Sequence, residues 1–268
     1  MKVSARQNRT PRPGRMRQAG FSLLEIAVAL VVAGLLSWAA FSGYETVVSQ
    51  QEIERGRAEA QQLQSIVRSF ALRHGRLPCP DTAAVATGYE ALTSPDSTVC
   101  AAGVQVGWFP YVSVGLQVPE EALRARYAVF RTPSATAAQD ADLTAALERT
   151  GDAEGEANYS DVTDLIVALN NAAGLASAAV AANRPYLTGD AGAAGAIDCG
   201  GNAVMSVAYW VVVPLKDADG DGNRLDPPHT NAGLCAASPT APLRFGTDDV
   251  VVSDSPTQLS GWLRKSLP

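Results

Sequence analysis

The longest apolar stretch of the chain extends from Ile26 to Tyr44 and contains no charged residue. Residues 1–20, which precede it, hold six basic side chains and no acidic one. An apolar run of this length can cross a lipid bilayer, and basic flanking residues favour the cytoplasmic side. The pattern therefore predicts one membrane-spanning helix at about 21–44, with the N-terminus inside the cell and the bulk of the chain outside it.

The chain beyond the apolar stretch has the pattern of an amphipathic helix. Apolar residues recur at spacings of three and four, and no proline interrupts them before Pro78. Gly75, followed by Pro78 and Pro80, indicates where this helix ends. We therefore predict one long N-terminal helix at 21–74 and a globular domain at 75–268.

The globular part consists of short elements separated by glycine and proline. Runs rich in β-branched and aromatic residues predict strands at Arg126–Arg131, Val204–Leu215 and Asp249–Val252. Helical spacing and capping residues predict helices at Thr136–Arg149, at Asp161–Ala173 between Ser160 and Gly174, and at Pro256–Lys265 after Ser255. The stretch Pro133–Asn158, rich in alanine and acids, is expected to be a solvated insertion. The predicted class is α+β, with the long helix packed on an antiparallel sheet that carries helical insertions.

Charge is distributed unevenly along the chain. The whole chain has a net charge of −6, whereas residues 1–20 carry +6, so the remainder carries −12. Affinity for phosphates comes from an excess of lysine and arginine. Nucleic acid is therefore excluded as the main partner.

Glu25 is an acidic residue at the start of the apolar stretch. A carboxylate within a membrane helix costs roughly 2.5 to 3.5 kcal/mol on insertion scales. Each strongly apolar neighbour contributes about −0.3 to −0.6 kcal/mol, and together they outweigh the acid. Glu25 either lies at the membrane interface or awaits a cationic partner from another chain, because intramembrane acids usually mark function.

The N-terminal segment resembles that of type IV prepilins and pseudopilins. The resemblance is carried by the basic leader, by the run Gly20-Phe21-Ser22-Leu23-Leu24-Glu25 and by the apolar helix that follows. It implies that a prepilin peptidase cuts after Gly20 and that the new N-terminal residue, Phe21, is N-methylated. It also implies that Glu25 pairs with the N-terminal amine of a neighbouring subunit during assembly. An ordinary secretory signal, cut near 37–40, is the competing interpretation and explains the leader but not Glu25.

The resemblance also implies a fold, a location and a set of partners. The fold would be pilin-like, with residues 1–20 removed as a leader. The mature chain would be a single-pass protein of the inner membrane with a periplasmic C-terminal domain, later part of a filament. Its partners would be the prepilin peptidase, other pilin or pseudopilin subunits, the inner-membrane assembly platform and the membrane itself.

Four cysteines lie in the part of the chain that the predicted topology places outside the cell membrane: Cys79, Cys100, Cys199 and Cys235. An even number in an exported domain predicts disulfides. Four cysteines allow three pairings, of which the sequential one, Cys79–Cys100 and Cys199–Cys235, is favoured. The junction G-x-L-P-C-P-D around Cys79 is similar to one in pilin-like proteins that have a disulfide just after the helix. A zinc site is disfavoured because the chain has no C-x-x-C and its two histidines are not at ligand spacing.

One loop carries alternating acids followed by glycine, and its candidate metal ligands are Asp217, Asp219, Asp221, Asn223 and Asp226. The spacing matches the first half of an EF-hand-like calcium loop, although the twelfth position is Pro228 rather than a bidentate glutamate. Some pseudopilins bind calcium in loops near their C-termini, and this resemblance favours the interpretation of the loop as a calcium site. The incomplete ligand set nevertheless favours a solvated turn, where Asp and Gly are common. Calcium is the one cofactor that the sequence suggests.

The sequence does not favour an enzyme. It contains no G-x-S-x-G, no H-E-x-x-H, no Walker loop and no dinucleotide fingerprint. His229, near Asp226 in the sequence, is expected to be a solvent-facing loop residue. The favoured function is that of a minor pseudopilin or minor pilin, which serves either a type II secretion pseudopilus or a type IV pilus. The alternative is a membrane-anchored periplasmic protein that binds a ligand in a calcium-dependent way.

Overall fold

A computed structural model describes residues 22–95, 97–151, 161–176, 184–188, 197, 199, 203–230, 233–240 and 246–267. The chain divides into two compact units, residues 1–50 and 51–268. The helices are α1 (Leu23–His74), α2 (Val162–Ala176) and α3 (Pro256–Ser266), with short 3₁₀ turns at Glu121–Leu123 and Ala137–Gln139. The strands are β1 (Val106–Trp108), β2 (Arg126–Val129), β3 (Tyr186–Thr188), β4 (Ala203–Ser206), β5 (Tyr209–Val213), β6 (Cys235–Ala237) and β7 (Val250–Asp254).

The strands form two sheets. The larger one is antiparallel with the strand order β1-β2-β5-β7. The smaller one has the order β4-β3-β6, in which β3 and β4 are antiparallel and β3 and β6 are parallel. The α+β class predicted from the sequence is confirmed, and the combination of a long helix with an antiparallel sheet is consistent with a pilin-like fold.

Strand β5 lies between two hydrophobic clusters. Tyr209, Val211 and Val213 belong to the larger cluster, together with apolar residues of α1, α2 and α3. Trp210 and Val212 belong to a second cluster that includes residues of β3 and β6. Because successive side chains of a strand point to opposite faces, an entirely apolar strand is what burial on both faces requires.

The predicted strand Val204–Leu215 is in fact two strands in different sheets. It divides at Val207 and Ala208, whose amides donate to Pro185 O and Asp254 O respectively. The apolar run thus continues through a change of sheet, which hydrophobic pattern alone does not reveal. The predicted strands at Arg126–Arg131 and Asp249–Val252 correspond to β2 and β7.

The helix predicted at Thr136–Arg149 is wrong, since only the 3₁₀ turn at Ala137–Gln139 forms there. The carboxylates of Asp140 and Asp142 accept backbone amides of their own segment, which offers the chain an alternative to helical hydrogen bonds. Arg149 pairs with Asp140 and is buried. The expectation of a solvated insertion is therefore wrong for residues 140–144 and Arg149, which are buried, whereas residues 135–139 are exposed. Residues 152–158 of that stretch lie outside the described ones.

The other two helices begin at side-chain caps. Helix α3 has Ser255 as its N-cap in a capping box with Gln258, which confirms the prediction from the sequence. At the start of α2, Asp161 Oδ1 accepts the amides of Thr163 and Asp164. The predicted cap, Ser160, lies outside the described residues, and the helix continues past Gly174 to Ala176.

The junction after α1 is a compact, hydrogen-bonded turn. Gly75 has a φ of 59°, a left-handed conformation that favours glycine, and its amide donates to Ala71 O. Arg76 forms a buried ion pair with Glu90, whose Oε1 also accepts the Cys79 amide at 2.6 Å. The residues of the G-x-L-P-C-P-D motif therefore direct the chain from the helix into the globular part.

Candidate functional site

The processing site predicted from the sequence, Gly20 and Phe21, lies outside the described residues. The described residues begin at Ser22, directly before α1. Ser22 N–H donates to Glu25 Oε2 at 2.9 Å, and Glu25 N–H donates to Ser22 Oγ at 3.2 Å. These reciprocal bonds form a capping box at the start of the helix. Sequence reasoning missed this role of Glu25, although the pattern Ser-x-x-Glu was its signal.

Glu25 lies beside an exposed apolar face of α1. Side chains from Ser22 to Ala39 are all exposed, and Leu24, Val28, Val32 and Leu36 share one face with Glu25. The negative carboxylate is well placed at the N-terminus of the helix, where the backbone dipole is positive. A contiguous exposed apolar surface marks a site of contact with a membrane or another protein.

Among the described residues, no helix combines the length and the apolar character needed to cross a membrane. Residue 21 and the side chains of residues 40–43, which belong to the predicted span at about 21–44, are not among the described ones.

Both disulfides are present in the structure. Cys79 is joined to Cys100 and Cys199 to Cys235, which is the sequential pairing favoured above. Cys79 follows α1, so the first bond closes the loop after the helix. Cys235 starts β6, so the second bond ties the smaller sheet to the segment before β4.

The acidic loop after β5 brings three of its predicted ligands together. Carboxylate oxygens of Asp217, Asp219 and Asp221 lie within 4.8 Å of one another, and all three residues are exposed. Asp217 already accepts the amides of Gly220, Asp221 and Gly222 with its two oxygens. The carboxylate oxygens of Asp217 are therefore already occupied as acceptors of hydrogen bonds from the loop's own backbone.

Two further predicted ligands follow this cluster along the chain. Asn223 Oδ1 accepts the amide of Leu225 at 3.1 Å, so it caps the turn that it occupies. Asp226 is buried, and the structure groups it with Asp248 and Asp249, the residues before β7. Sequence reasoning missed the last two residues because they lie more than twenty positions away, and no local pattern connects them to the loop.

His229 is part of this second group. The expectation that it faces solvent is wrong, because its side chain is fully buried. Its Nδ1 lies 2.8 Å from Asp249 Oδ2, and its Nε2 accepts the Ala237 amide at 3.1 Å. Since Nε2 accepts the hydrogen bond from the Ala237 N–H, the neutral imidazole carries its hydrogen on Nδ1, which donates to Asp249.

Burial raises the pKa of two carboxyls of the second group, those of Asp248 and Asp249. It raises the pKa of the Asp249 carboxyl to about 6, although the hydrogen bond from His229 acts in the opposite direction. Burial also raises the pKa of Asp248, although the hydrogen bond from the Lys216 amide acts in the opposite direction. Both shifts have the same cause, because removal from water disfavours the charged form of a carboxylate.

Comparison with known proteins gives one match. Residues 15–41 match the model of the prokaryotic N-terminal methylation motif. No curated protein and no solved structure matches the chain. The match covers the predicted processing residues Gly20 and Phe21 as well as Glu25.

Proposed function

We propose that this chain, which carries at residues 15–41 the prepilin-type signal of type IV pilins and pseudopilins, is a minor subunit of a type II secretion pseudopilus or of a type IV pilus. The observation that supports this most directly is the motif, because it marks a substrate of prepilin peptidase. In this proposal the chain works by assembly and not by catalysis, and the absence of common catalytic motifs from the sequence agrees with that.

The first step of the proposed function is processing. Prepilin peptidase removes residues 1–20 by cutting the Gly20–Phe21 bond, and Phe21 is then N-methylated. Removal of the +6 leader leaves a subunit of charge −12. The apolar segment at about 21–44 holds the subunit in the inner membrane until it is extracted, and the disulfide-bonded part lies in the periplasm.

The second step is pairing between subunits. Within the described residues, Glu25 Oε2 accepts the amide of Ser22. An ionised carboxylate offers about four lone-pair positions, so it can also accept a hydrogen bond from a neighbour's N-terminal ammonium. The exposed face with Leu24, Val28 and Val32 would at the same time be covered by neighbouring helices.

Mass spectrometry of the mature N-terminus tests the processing step. Protein isolated from membranes should begin with N-methylated Phe21, and protein from a strain without prepilin peptidase should retain residues 1–20. A mature chain that begins near residue 40, or a leader that is retained in the presence of the peptidase, would refute the proposal.

A pair of variants tests the role of Glu25 in assembly. Glu25→Gln keeps an oxygen for the Ser22 amide but loses the charge, whereas Ser22→Ala loses the hydroxyl cap and keeps the charge. We expect both to insert into the membrane and only Glu25→Gln to fail to enter sheared filaments. Incorporation of Glu25→Gln at the level of Ser22→Ala would refute a role of the Glu25 charge in assembly.

A membrane-anchored periplasmic protein that binds a ligand with the help of calcium is the second candidate function. The observation in its favour is the presence of two carboxylate clusters in the described residues. The two candidates differ in their fate, because an anchored binding protein stays in the inner-membrane fraction when filaments are sheared from cells.

A further inference from the structure

Strand β7 lies at one edge of the larger sheet, whose strand order is β1-β2-β5-β7. On its inner side it pairs with β5, and Asp254 O accepts the amide of Ala208, the residue before β5. Successive backbone groups of an antiparallel strand face alternate sides, so those of Val251 and Ser253 face away from β5. The contact of Ser253 O agrees with this direction, since that oxygen accepts the side-chain amide of Gln64 on α1 at 3.1 Å.

The outer edge of β7 has backbone groups without partners. Within the described residues, no hydrogen bond from the outer side reaches the N–H or the C=O of Val251, or the N–H of Ser253. A strand edge with free backbone groups is a template for one further strand. Addition of an extended peptide to such an edge is a recurrent mode of recognition, in which main-chain hydrogen bonds provide affinity and side-chain pockets provide specificity.

A groove with a cavity volume of about 360 Å³ runs along this edge, and we term it the β7 groove. Val250 and Val252 pack against the cluster that contains α1, whereas Val251 belongs to the cluster of β3 and β6. Helix α1 and strand β6 therefore lie on opposite faces of β7. Both also line the groove, which thus has a wall on each side of the strand edge; the wall residues are Ile53, Arg57 and Gln61 of α1 and Ala237 of β6, followed by Ser238 and Pro239.

Arg57 gives the β7 groove a positive charge. It is exposed, and no acid among the described residues forms an ion pair with it. Arg68, further along the same helix, is by contrast paired with Asp254. The other charged residue that lines the groove, Asp249, has a fully buried side chain and does not present its charge to solvent. A free guanidinium beside an open strand edge is suited to a carboxylate of the incoming peptide.

The two walls of the β7 groove select the kind of segment that fits. Strand β7 of a second copy would bring its own α1 and β6 against the same walls, and would place two Arg57 side chains in one interface. Like charges that face each other across an interface disfavour association. The occupant is therefore an extended loop or tail of a different protein, without flanking secondary structure and with an acidic side chain.

We propose that the β7 groove binds an extended acidic segment of a partner protein, which pairs with Val251 as an added strand and places a carboxylate against Arg57. Two residues that form a hydrogen-bonded antiparallel pair exchange two bonds, so one partner residue satisfies both the N–H and the C=O of Val251. Gln64 limits the added strand at one end, because it already donates to Ser253 O. The proposal does not depend on the assembly function, because the groove contains no residue of the segment 15–41.

Fluorescence anisotropy of labelled synthetic peptides, titrated with the full chain in detergent, tests the proposal. The probes are end-blocked peptides of about five residues, the length of β7, in which valine and threonine alternate and one glutamate occupies each position in turn. We expect at least one of them to bind with a Kd below about 1 mM. Its counterpart with lysine in place of glutamate should bind about tenfold more weakly or worse, because the lysine faces Arg57. N-methylation of single peptide amides should weaken binding at alternate positions only, since alternate amides face β7.

Arg57→Glu and Arg55→Glu form a matched pair of variants, because both arginines are exposed on α1 but Arg55 does not line the β7 groove. We expect Arg57→Glu to weaken binding of the glutamate peptide by about tenfold or more and Arg55→Glu to leave it within about threefold of the wild type. Hydrogen exchange of the Val251 amide should slow down when the peptide is bound.

Three results would overturn the proposal. The first is failure of every glutamate peptide to bind the wild-type chain. The second is equal binding by the two variants, or an effect of N-methylation that does not alternate along the peptide. The third is protection of the Val251 amide that depends on the concentration of the chain in the absence of peptide, because a second copy would then occupy the strand edge.

Discussion

Replacing Asp254 by alanine removes the group that links helix α1 to the edge of the larger sheet. Both carboxylate oxygens accept from Arg68, at 2.6 and 2.8 Å. Gln64 also donates to Oδ1, and the Tyr209 hydroxyl donates to Oδ2. One buried carboxylate therefore receives hydrogen bonds from two residues of α1 and one of β5.

The expected loss of stability arises because these donors would lose the carboxylate that accepts their hydrogen bonds. Breaking a buried ion pair from one side costs about 3 to 5 kcal/mol. The Arg68 side chain is 27% exposed, so water offsets part of that cost. The buried Tyr209 hydroxyl would lose its partner, which adds about 1 to 3 kcal/mol. We expect a total of about 3 to 5 kcal/mol, which lowers the melting temperature of a unit of this size by roughly 6 to 20 °C.

Thermal unfolding of the full chain in detergent, followed by near-ultraviolet circular dichroism, measures this loss. Glu54→Ala is the matched control, because Glu54 is an exposed acid on the same helix and its removal should change stability by less than about 0.5 kcal/mol. The double variant Asp254→Ala/Tyr209→Phe should lose less than the sum of the single variants, since the hydroxyl that it removes no longer needs an acceptor. A loss below about 1 kcal/mol for Asp254→Ala would refute the assignment of this carboxylate as the main polar link.

Two other changes probe the helix end and the buried phenols. Gly75→Ala should destabilise the globular part by more than Gly115→Ala. Both glycines have a positive φ, but of the two only Gly75 would place a Cβ against a backbone oxygen, that of Asp161, at 2.7 Å. Equal melting temperatures of the two variants would contradict this. Burial raises the pKa of Tyr127 and Tyr209 well above the ordinary value of 10, so the folded state retains protons that the unfolded state releases above pH 10. The stability of the folded state should therefore fall as the pH rises above 10. In melting curves recorded from pH 8 to 11, the melting temperature of Tyr209→Phe should fall less steeply with pH than that of the wild type. An identical slope in the variant would count against burial as the cause.

Features that depend on neighbouring residues could be predicted. The Ser255 cap of α3 follows from a serine before proline, with glutamine three residues later. The match at residues 15–41 follows from a contiguous motif. One local feature was nevertheless missed. The capping box of Ser22 and Glu25 at the start of α1 follows from the pattern Ser-x-x-Glu, which the sequence shows.

Features that depend on competition between interactions could not be predicted in this way. Acid-rich residues 136–149 have good helical spacing, but Asp140 and Asp142 use their carboxylates to hold backbone amides and arginines. The run Val204–Leu215 has strong strand character, but its division between two sheets is decided by which neighbours pair with each half. His229 looks like a surface residue in the sequence, and only its contacts with β6 and Asp249 bury it.

The sequence by itself determined the prepilin-type signal, the α+β class and the position of the cap of α3, because each follows from contiguous residues or from local patterns along the chain. The tertiary structure alone decided the link between Arg68 and Asp254, which are 186 positions apart. It alone also grouped Asp226 with Asp248 and Asp249 and left one of their oxygens without a partner. Such long-range groupings follow from how the sheets and α1 pack, and a pattern read along one chain carries no measure of distance in space.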